Sequence, residues 1–423
     1  MIRIQIVLVI IFLFQQVAIS QTNQENQFLQ KVGLLDSLYS KSLKEHREIY
    51  VQLPANYDPN TNQKYPVVYV LDGEVFLLTV NNVLSFYSGG FMPEMVIVGI
   101  SNSNNRMRDL TTSKVTEMYG MPFEQEHGEA ASFSEFIETE LIPFVENKYP
   151  VTSFRTLIGH SYGGLFTIYT LINHPHLFSN YLAIDPSLDW DKQKLLNEAK
   201  EELKRQNYKG KSLFISLGGQ LHLQNTDVTI ENVMQDTSAF TLFARSNMAF
   251  SNMVEQNKNN GLSFRWKFYP NDLHGTIPFP SIMDGLIFDF EWYQMENINK
   301  FNNPETSKEE LFTIINNRAN KLKRYFGYDV PPYPQDIFNV LGYMSLDMEQ
   351  LEKSKMFFEF AIKFYPNSAN VYDSMADYYE RNRDYKNALN FVIKAFEISG
   401  EENHKQRIKD LKEKITEVGI DPN

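Results

Sequence analysis

The segment at residues 159–163 has the sequence Gly-His-Ser-Tyr-Gly and matches the pattern Gly-x-Ser-x-Gly. It stands where an apolar run at 156–158 gives way to a stretch at 165–171 with the composition of a helix. A strand, a sharp turn and a helix in this order lift a serine hydroxyl above a sheet, where it can act as a nucleophile. Glycines flank the serine because the turn and the close helix packing leave no room for a Cβ. The segment therefore predicts that Ser161 is a nucleophile, if the rest of the chain supplies its partners.

The base for this serine is expected to be a histidine, because a hydroxyl needs a base to take its proton and a third group to hold that base. In folds with this turn the parts follow the order serine, acid, histidine. His274 comes just after a late apolar run, where a loop can return an imidazole to the carboxyl edge of the sheet. His174 and His176 end the helix after the serine, and His222 precedes the strand that normally comes before the base. His274 is therefore the predicted base.

The acid is expected in the loop that follows the apolar run at 213–217. This loop offers Asp227, Glu231 and Asp236. Asp236 also has the position of an N-cap for the following helix, and Asp227 has that of an ordinary exposed loop residue. The sequence leaves the choice between Asp236 and Asp227 open.

Two backbone N–H groups are expected to stabilise the oxyanion that forms when the serine attacks a carbonyl group. One belongs to Tyr162, the residue after the nucleophile. The other should come from the loop after an early strand, where the sequence at 71–74 is Leu-Asp-Gly-Glu, and the N–H of Glu74 is the preferred candidate. The side chain of Asp72 is expected to brace this loop.

The elements that position these groups alternate between strand and helix patterns. Continuous apolar runs are typical of strands that are buried on both faces, and they cover residues 65–71, 95–100, 181–184 and 213–217. A further buried strand is predicted at 262–269. Helical patterns cover residues 133–145, 191–206 and 238–256. This alternation predicts an α/β fold with a mostly parallel central sheet flanked by helices.

A different pattern begins near residue 338. Large and small positions recur at a spacing of 34 residues, so that Phe338, Leu341, Gly342, Phe358 and Ala361 match Tyr372, Met375, Ala376, Val392 and Ala395. This is the period of tetratricopeptide repeats, in which pairs of antiparallel helices stack, and a helical hairpin with a coincidental spacing is the alternative. Residues 405–418 are the predicted capping helix. The repeats are expected to bind a protein partner or to brace the catalytic domain.

These patterns divide the chain into four parts. We predict a signal peptide at 1–20, a catalytic α/β domain at 21–300, a connecting helix and linker at 301–334, and an all-α domain of tetratricopeptide repeats with a capping helix at 335–423. Arg3, the apolar stretch at 4–14 and small residues at positions 18 and 20 are typical of a cleaved secretory signal. We expect export to the periplasm or the medium, without stable membrane insertion after cleavage.

Composition excludes several other kinds of site. The 423 residues include 40 Lys and Arg against 52 Asp and Glu, so the formal charge is −12 and a general nucleic-acid binder is excluded. Cysteine is absent, which excludes disulfides, thiolate metal ligands and cysteine nucleophiles. The motifs His-Glu-x-x-His and Gly-x-Gly-x-x-Gly are absent too. We therefore expect no metal and no cofactor.

Taken together, these features resemble the "Putative esterase" family of α/β-hydrolases, which includes enterochelin esterases, S-formylglutathione hydrolases, feruloyl and acetylxylan esterases, and mycolyltransferases. The resemblance covers about residues 40–295, and its motifs are at 47–54, 65–74, 140–143, 159–164, 183–187 and 269–275. It implies an α/β-hydrolase fold with Ser161 as the nucleophile and His274 as the base. Position 185 is Asp where many relatives have Ser, and the acid loop departs from the family pattern.

The predicted function is that of a serine carboxylic-ester hydrolase with a Ser-His-Asp triad and an acyl-enzyme, acting on a small-molecule ester. Siderophore esters and plant-wall or phenolic acyl esters both stay open as substrates. A peptidase or an acyltransferase with the same triad is one alternative, because pocket shape sets the leaving group and the acceptor. A catalytically inert hydrolase fold whose repeats bind a protein is another, and the presence of both Ser161 and His274 argues against it.

Overall fold

The computed structural model describes residues 32–417, except for 56, 58, 60–62, 119–120 and 223. The predicted signal peptide at 1–20 lies outside the described residues, as does the last residue of the predicted capping helix. Within the described part of the chain, no helix combines the length and the apolar character needed to cross a membrane.

Eight strands form the central sheet, in the order β1-β2-β4-β3-β7-β8-β9-β10. The five pairs from β4 to β10 along this order are parallel, and β2 pairs antiparallel with both β1 and β4. Strands β5 and β6 form a separate antiparallel pair. The strands are β1 Leu34–Ser40, β2 Glu45–Gln52, β3 Tyr65–Leu71, β4 Val96–Ile100, β5 Glu117–Met118, β6 Met121–Pro122, β7 Val151–His160, β8 Asn180–Ile184, β9 Ser212–Gly218 and β10 Ser263–Tyr269.

Nine helices accompany the sheet in the described residues up to 301. They are α1 Gly73–Tyr87, α2 Arg106–Leu110, α3 Ala130–Phe136, α4 Ile142–Lys148, α5 Tyr162–Asn173, α6 Trp190–Arg205, α7 Leu242–Gln256, α8 Pro278–Phe290 and α9 Ile298–Phe301. A single π-helical turn at residues 137–141 joins α3 to α4. Helices and parallel strands alternate through most of this region, as in other doubly covered sheets.

Helices cover both faces of the sheet because its strands are apolar on both faces. Every residue of β3 is buried, and alternate residues join two different hydrophobic clusters. Val67, Tyr69 and Leu71 pack with α3 to α7, whereas Val68 and Val70 pack with α1 and α8. A strand with a period of two must supply apolar side chains to both layers in this arrangement. The predicted mostly parallel sheet flanked by helices is confirmed, and its carboxyl edge is where α/β folds place their ligands.

The C-terminal region is all helical, as predicted. Its helices are α10 Lys308–Phe326, α11 Gln335–Asp347, α12 Leu351–Phe364, α13 Ala369–Arg381, α14 Tyr385–Ser399 and α15 Glu402–Glu417. Arg318 of α10 donates hydrogen bonds to the carbonyl groups of Tyr293, Gln294 and Pro332. Trp292 stacks on Tyr325 with ring centroids 4.2 Å apart. These contacts attach the helical region to the end of the sheet domain rather than to its carboxyl edge.

Candidate active site

The nucleophile turn lies between β7 and α5 and forces Ser161 into an unusual backbone conformation, with φ 60° and ψ −115°. A Cβ on Gly159 would lie 2.2 Å from the carbonyl oxygen of Gly163, and one on Gly164 would lie 2.9 Å from Cα of Pro186. Neither contact is sterically possible, so both positions require glycine. A non-glycine residue at positive φ is costly and persists where surrounding packing fixes it. The turn therefore holds the Ser161 hydroxyl at the carboxyl edge of the sheet.

His274 reaches this hydroxyl from the loop between β10 and α8. Its Nε2 lies 3.1 Å from Oγ of Ser161, a distance at which the hydroxyl can donate its proton to a neutral imidazole. The His274 side chain is 41% exposed, so a ligand in the site can reach it. The structure thus brings together the two residues that the sequence proposes as nucleophile and base, although they are 113 positions apart in the chain.

The carboxylate that contacts His274 is Asp185, and the expected origin of the acid must be corrected. Nδ1 of His274 donates to Oδ2 of Asp185 at 2.6 Å, and this carboxylate is almost fully buried. Its other oxygen, Oδ1, accepts a hydrogen bond of 3.0 Å from the N–H of Gly218. Asp185 directly follows β8, the strand next to the one that carries Ser161. It comes one strand earlier than the loop in which the sequence placed the acid.

Asp227 and Asp236 serve the loop after β9 itself. Oδ1 of Asp236 accepts from the N–H of Ser238 at 2.6 Å and from Oγ1 of Thr241 at 3.1 Å, which braces the start of the following helical segment. Asp227 is exposed, and its backbone is hydrogen-bonded to neighbouring asparagines of the same loop. Because a ring nitrogen carries one proton and Asp185 accepts it, neither residue is the partner of His274 here.

One signal in the sequence pointed to Asp185. It stands immediately after an apolar strand run, in the segment Ala-Ile-Asp-Pro-Ser. The serine of this segment, Ser187, also lies at the site. Its Oγ is 3.3 Å from Oγ of Ser161, and its N–H donates to the carbonyl group of Ser161 at 3.1 Å. The loop after β8 therefore contacts both the nucleophile and the base.

The two residues expected to supply oxyanion N–H groups both begin helices at the carboxyl edge. Tyr162 is the first residue of α5, and Glu74 is the second residue of α1. Backbone N–H groups in the first turn of a helix have no acceptor within that helix. A Cβ on Gly73 would lie 2.5 Å from backbone atoms of Gly99, so α1 can begin this close to the sheet only with glycine there.

The Asp72 side chain braces the loop before α1, as expected. Its two oxygens accept hydrogen bonds of 2.9 and 3.0 Å from the guanidinium group of Arg106. Arg106 also donates to the carbonyl group of His160 at 3.0 Å, and it lies over the ring of Tyr162 at 5.6 Å. One side chain thus links the start of α1 to the nucleophile turn.

An aromatic cluster packs around Tyr162, the residue after Ser161. Trp190 lies edge-on to Tyr162, with 5.5 Å between the ring centroids. Phe123 and His127 contact the same indole at 6.1 and 5.8 Å. The indole N–H donates to the carbonyl group of Ser113 at 3.1 Å, which fixes the ring. Trp190 is only 5% exposed, so this aromatic cluster belongs to the packing around the nucleophile turn.

Nothing in the described ranges groups three or more His, Cys, Asp or Glu side chains in a way that could hold a metal ion. The chemistry that the site offers is that of a serine hydroxyl, an imidazole and a buried carboxylate in a hydrogen-bonded chain.

The family model described as "Putative esterase" matches residues 40–261, which include the sheet strands from β2 to β9, the nucleophile turn and Asp185. This chain belongs to the "Putative esterase" family. His274 lies beyond the matched range, in the loop between β10 and α8.

Curated relatives of this esterase-family chain include siderophore esterases. It is 33% identical over 174 residues to "Ferri-bacillibactin esterase BesA" of Bacillus subtilis. This match covers 37% of this chain and 60% of that protein. It is also 33% identical over 187 residues to "Siderophore enterobactin esterase" of Emericella nidulans, covering 40% of this chain and 59% of that protein. The chain therefore spans about three fifths of the length of these relatives.

Solved structures of similar proteins extend the likeness. An IroE-like serine hydrolase from Shewanella oneidensis has a TM-score of 0.64 and 29% identity, and the match covers 78% of this chain and 99% of that one. A protein from Capnocytophaga ochracea has a TM-score of 0.57 and 21% identity, covering 90% of this chain and 99% of that one. The second likeness concerns the fold alone.

Proposed function

We propose that this esterase-family protein is a serine carboxylic-ester hydrolase in which Ser161, His274 and Asp185 form the catalytic triad. The observation that carries the proposal is the hydrogen-bonded chain from Oγ of Ser161 through both ring nitrogens of His274 to the buried carboxylate of Asp185, with distances of 3.1 and 2.6 Å. A nucleophile, a base and an orienting acid in this geometry recur in unrelated folds that perform acyl transfer.

The reaction follows from this geometry. Oγ of Ser161 attacks the ester carbonyl carbon while its proton passes to Nε2 of His274, and Asp185 stabilises the imidazolium that forms. The N–H groups of Tyr162 and Glu74 stabilise the oxyanion of the tetrahedral intermediate. The C–O bond to the alcohol then breaks, and the alcohol leaves with the proton from Nε2. Water, deprotonated by His274, attacks the acyl-enzyme and releases the acid and free Ser161.

The proposed substrates are small-molecule esters with an apolar or aromatic group, siderophore esters first. Two observations support this class. Curated relatives at 31–33% identity are named as esterases of ferri-bacillibactin, enterobactin and triacetylfusarinine C. The half-buried ring of Tyr162 directly follows the nucleophile, packs on Trp190, and can stack on a planar group. Phenolic acyl esters of plant cell walls have the same requirements and are the second class.

We also propose that α11 to α14 form two tetratricopeptide repeats, with α15 as the capping helix. Helix α11 packs on α12 and α13 on α14, and α15 packs on α14. A Cβ on Gly342 would lie 2.4 Å from the ring of Phe358, so this repeat position needs a very small residue. Tyr343 and Asp377, at equivalent positions 34 residues apart, share a hydrogen bond of 2.6 Å. An experimental structure in which the helix pairs lack this 34-residue offset would contradict the assignment.

Export is proposed from residues 1–20 alone, because their composition is that of a secretory signal. Sequencing the N-terminus of the protein recovered from the periplasm or the medium tests it, and Gln21 is the expected first residue.

The first prediction is that Ser161→Ala loses at least about 1,000-fold in kcat on 4-nitrophenyl acetate and butyrate, since the attacking atom is removed. Both purified proteins are assayed at the same concentration, with circular dichroism and thermal unfolding to establish that the variant is folded. Equal rates in both proteins would refute Ser161 as the nucleophile.

The same pair of proteins separates the alternative reactions. Hydrolysis of siderophore and feruloyl esters, cleavage of a matched 4-nitroanilide, and transfer of the acyl group to an added alcohol are measured side by side. An ester hydrolase shows a large preference for the esters and for water. A Ser161-dependent rate that is greater on the anilide or with the alcohol would identify a peptidase or an acyltransferase instead.

A further inference from the structure

His160 lies beside the nucleophile and the base, and the proposed reaction assigns it no role. It is the last residue of β7, directly before Ser161. Its Nε2 lies 2.9 Å from the backbone carbonyl oxygen of His274. A carbonyl oxygen only accepts, so the neutral ring must carry its proton on Nε2. The side chain before the nucleophile thus donates to the backbone of the base.

The rings of the two histidines are also in contact. Their centroids are 4.5 Å apart at an angle of 40°. Phe243 lies edge-on to His274 at 5.5 Å, and Phe76 lies edge-on to His160 at 5.7 Å. His274 is therefore held at three points: Asp185 binds Nδ1, two rings flank the imidazole, and His160 binds the carbonyl group.

His160 itself is fixed from the opposite side of the site. Arg106 donates to the His160 carbonyl group at 3.0 Å and is bound through two hydrogen bonds to Asp72. Asp72 directly precedes α1, which carries the oxyanion candidate Glu74. A continuous chain of polar contacts therefore runs from the start of α1 through Arg106 and His160 to His274.

The charge of His160 matters for the same reason. Burial, with smaller contributions from the neighbouring His274 and Arg106, lowers the pKa of His160 to about 3. The ring is therefore neutral across the pH range in which an ester hydrolase with a histidine base is active. A second positive charge 4.5 Å from the imidazolium of His274 would oppose the proton transfer from Ser161. A neutral donor avoids this repulsion and still holds the loop.

We propose that His160 is a positioning residue whose Nε2–H, donated to the His274 carbonyl group, sets the position of the His274 imidazole over Oγ of Ser161. The inference rests on the proposed function. The inference concerns the N–H donor of His160 and not the contact between the two rings, so any side chain that can present a neutral N–H at this place should substitute for it. A misplacement of about 1 Å in a catalytic group can cost 100-fold in rate.

Two substitutions separate the donor from the ring. His160→Gln keeps an N–H at nearly the same reach and removes the ring, whereas His160→Phe keeps a ring of similar size and removes the donor. His174→Leu is the matched control, because His174 is also partly buried and lies at the opposite end of α5. All are assayed with 4-nitrophenyl butyrate from pH 5 to 9, together with wild type and Ser161→Ala.

We expect His160→Phe to lose about 30-fold in kcat with a change in KM of less than about threefold, because the base is misplaced after the substrate has bound. His160→Gln should restore kcat to within about threefold of wild type and leave the acid limb of the pH profile in place, since His160 does not titrate there. In proton NMR spectra the far-downfield resonance of the His274 Nδ1–H should persist in His160→Gln and broaden or vanish in His160→Phe.

Three results would overturn this role. They are a wild-type kcat in His160→Phe, a loss in His160→Gln as large as in His160→Phe, or a shifted acid limb in His160→Gln, which would make His160 a titrating group. If His160→Phe does not fold, the rate and pH profile of His160→Gln still decide. Failure of the triad itself is recognised separately, because Ser161→Ala would then be as active as wild type.

Discussion

Two loops follow neighbouring strands at the carboxyl edge of the sheet, and their aspartates have different partners. The loop after β8 is mostly buried, and within three residues it brings the carboxylate of Asp185 to His274 and the hydroxyl of Ser187 to Ser161. The loop after β9 runs from residue 219 to 241. Within it, Asp236 accepts a hydrogen bond from the N–H of Ser238, and Asp227 is exposed. Both loops lie at the carboxyl edge of the sheet. Burial and strand adjacency direct the carboxylate of the first loop to His274, whereas the carboxylates of the second loop do not contact it.

Strand β9 nevertheless contributes to the site through its backbone. Gly218 donates its N–H to Asp185, and Gly219 donates to the carbonyl group of Asp272 at 2.8 Å, in the loop that carries His274. A Cβ on Gly219 would lie 2.1 Å from the carbonyl oxygen of Pro270, so the two loops meet too closely for any other residue. Asp185 therefore comes from the loop after β8, whereas Gly218 at the end of β9 and the following Gly219 hold Asp185 and the loop of His274 in place.

The largest predicted effect tests which loop provides the acid. Asp185→Asn should lower kcat by about 1,000- to 10,000-fold, because the amide cannot stabilise the imidazolium and favours the wrong tautomer of His274. Asp227→Asn and Asp236→Asn, the same change in the other loop, should stay within about twofold of wild type. The measurement is kcat on 4-nitrophenyl butyrate, with thermal unfolding as the control for folding.

The reverse ranking would restore the acid to the loop after β9. If Asp236→Asn lost most of the activity while Asp185→Asn kept it, the bond between Asp185 and His274 would belong to a resting arrangement that the substrate changes.

This comparison also marks how far the sequence could lead. The contact between Ser161 and His274 was predictable, because the glycines, the strand and the helix around Ser161 are local in the chain and His274 follows the last strand in the expected order. The parallel sheet was predictable because every strand buried on both faces is a continuous apolar run. None of these patterns reports which strands are neighbours in the sheet. The contact between Asp185 and His274 depends on that information, because β8 lies between β7 and β9.

The backbone conformation of Asp185 also made this residue hard to predict from the sequence. Its φ of 43° is rare for a residue other than glycine, although Asp tolerates it better than most. The expected order of serine, acid and histidine led instead to the next loop along the chain. His160 was missed for a different reason, since a histidine inside the turn motif looks like one of its two variable positions, and its acceptor lies 114 residues away.

A smaller effect is expected for the second contact that the loop after β8 makes. Ser187→Ala removes the hydroxyl 3.3 Å from Oγ of Ser161 and should lower kcat/KM by about fivefold, as for the loss of one neutral hydrogen bond. Ser238→Ala in the loop after β9 is the matched control and should leave kcat/KM unchanged. Equal effects of the two substitutions would mean that proximity of Ser187 to the nucleophile has no catalytic consequence.

The smallest effect concerns stability and belongs to the other loop. Hydrogen bonds from Ser238, with a smaller contribution from Thr241, hold the pKa of Asp236 below its ordinary value of 3.8. The folded protein therefore favours the ionised carboxylate, so its contribution to stability is present above pH 4 and is lost as the pH falls through the lowered pKa.

Asp236→Ala should lower Tm by about 2 °C at pH 7, as for the loss of a helix-capping side chain, and by less near pH 3. Thermal unfolding of both proteins at the two pH values measures this. A decrease in Tm that is equal at both pH values would show that the ionised carboxylate is not what braces the loop, while a loss of activity at pH 7 would bring Asp236 back towards the site.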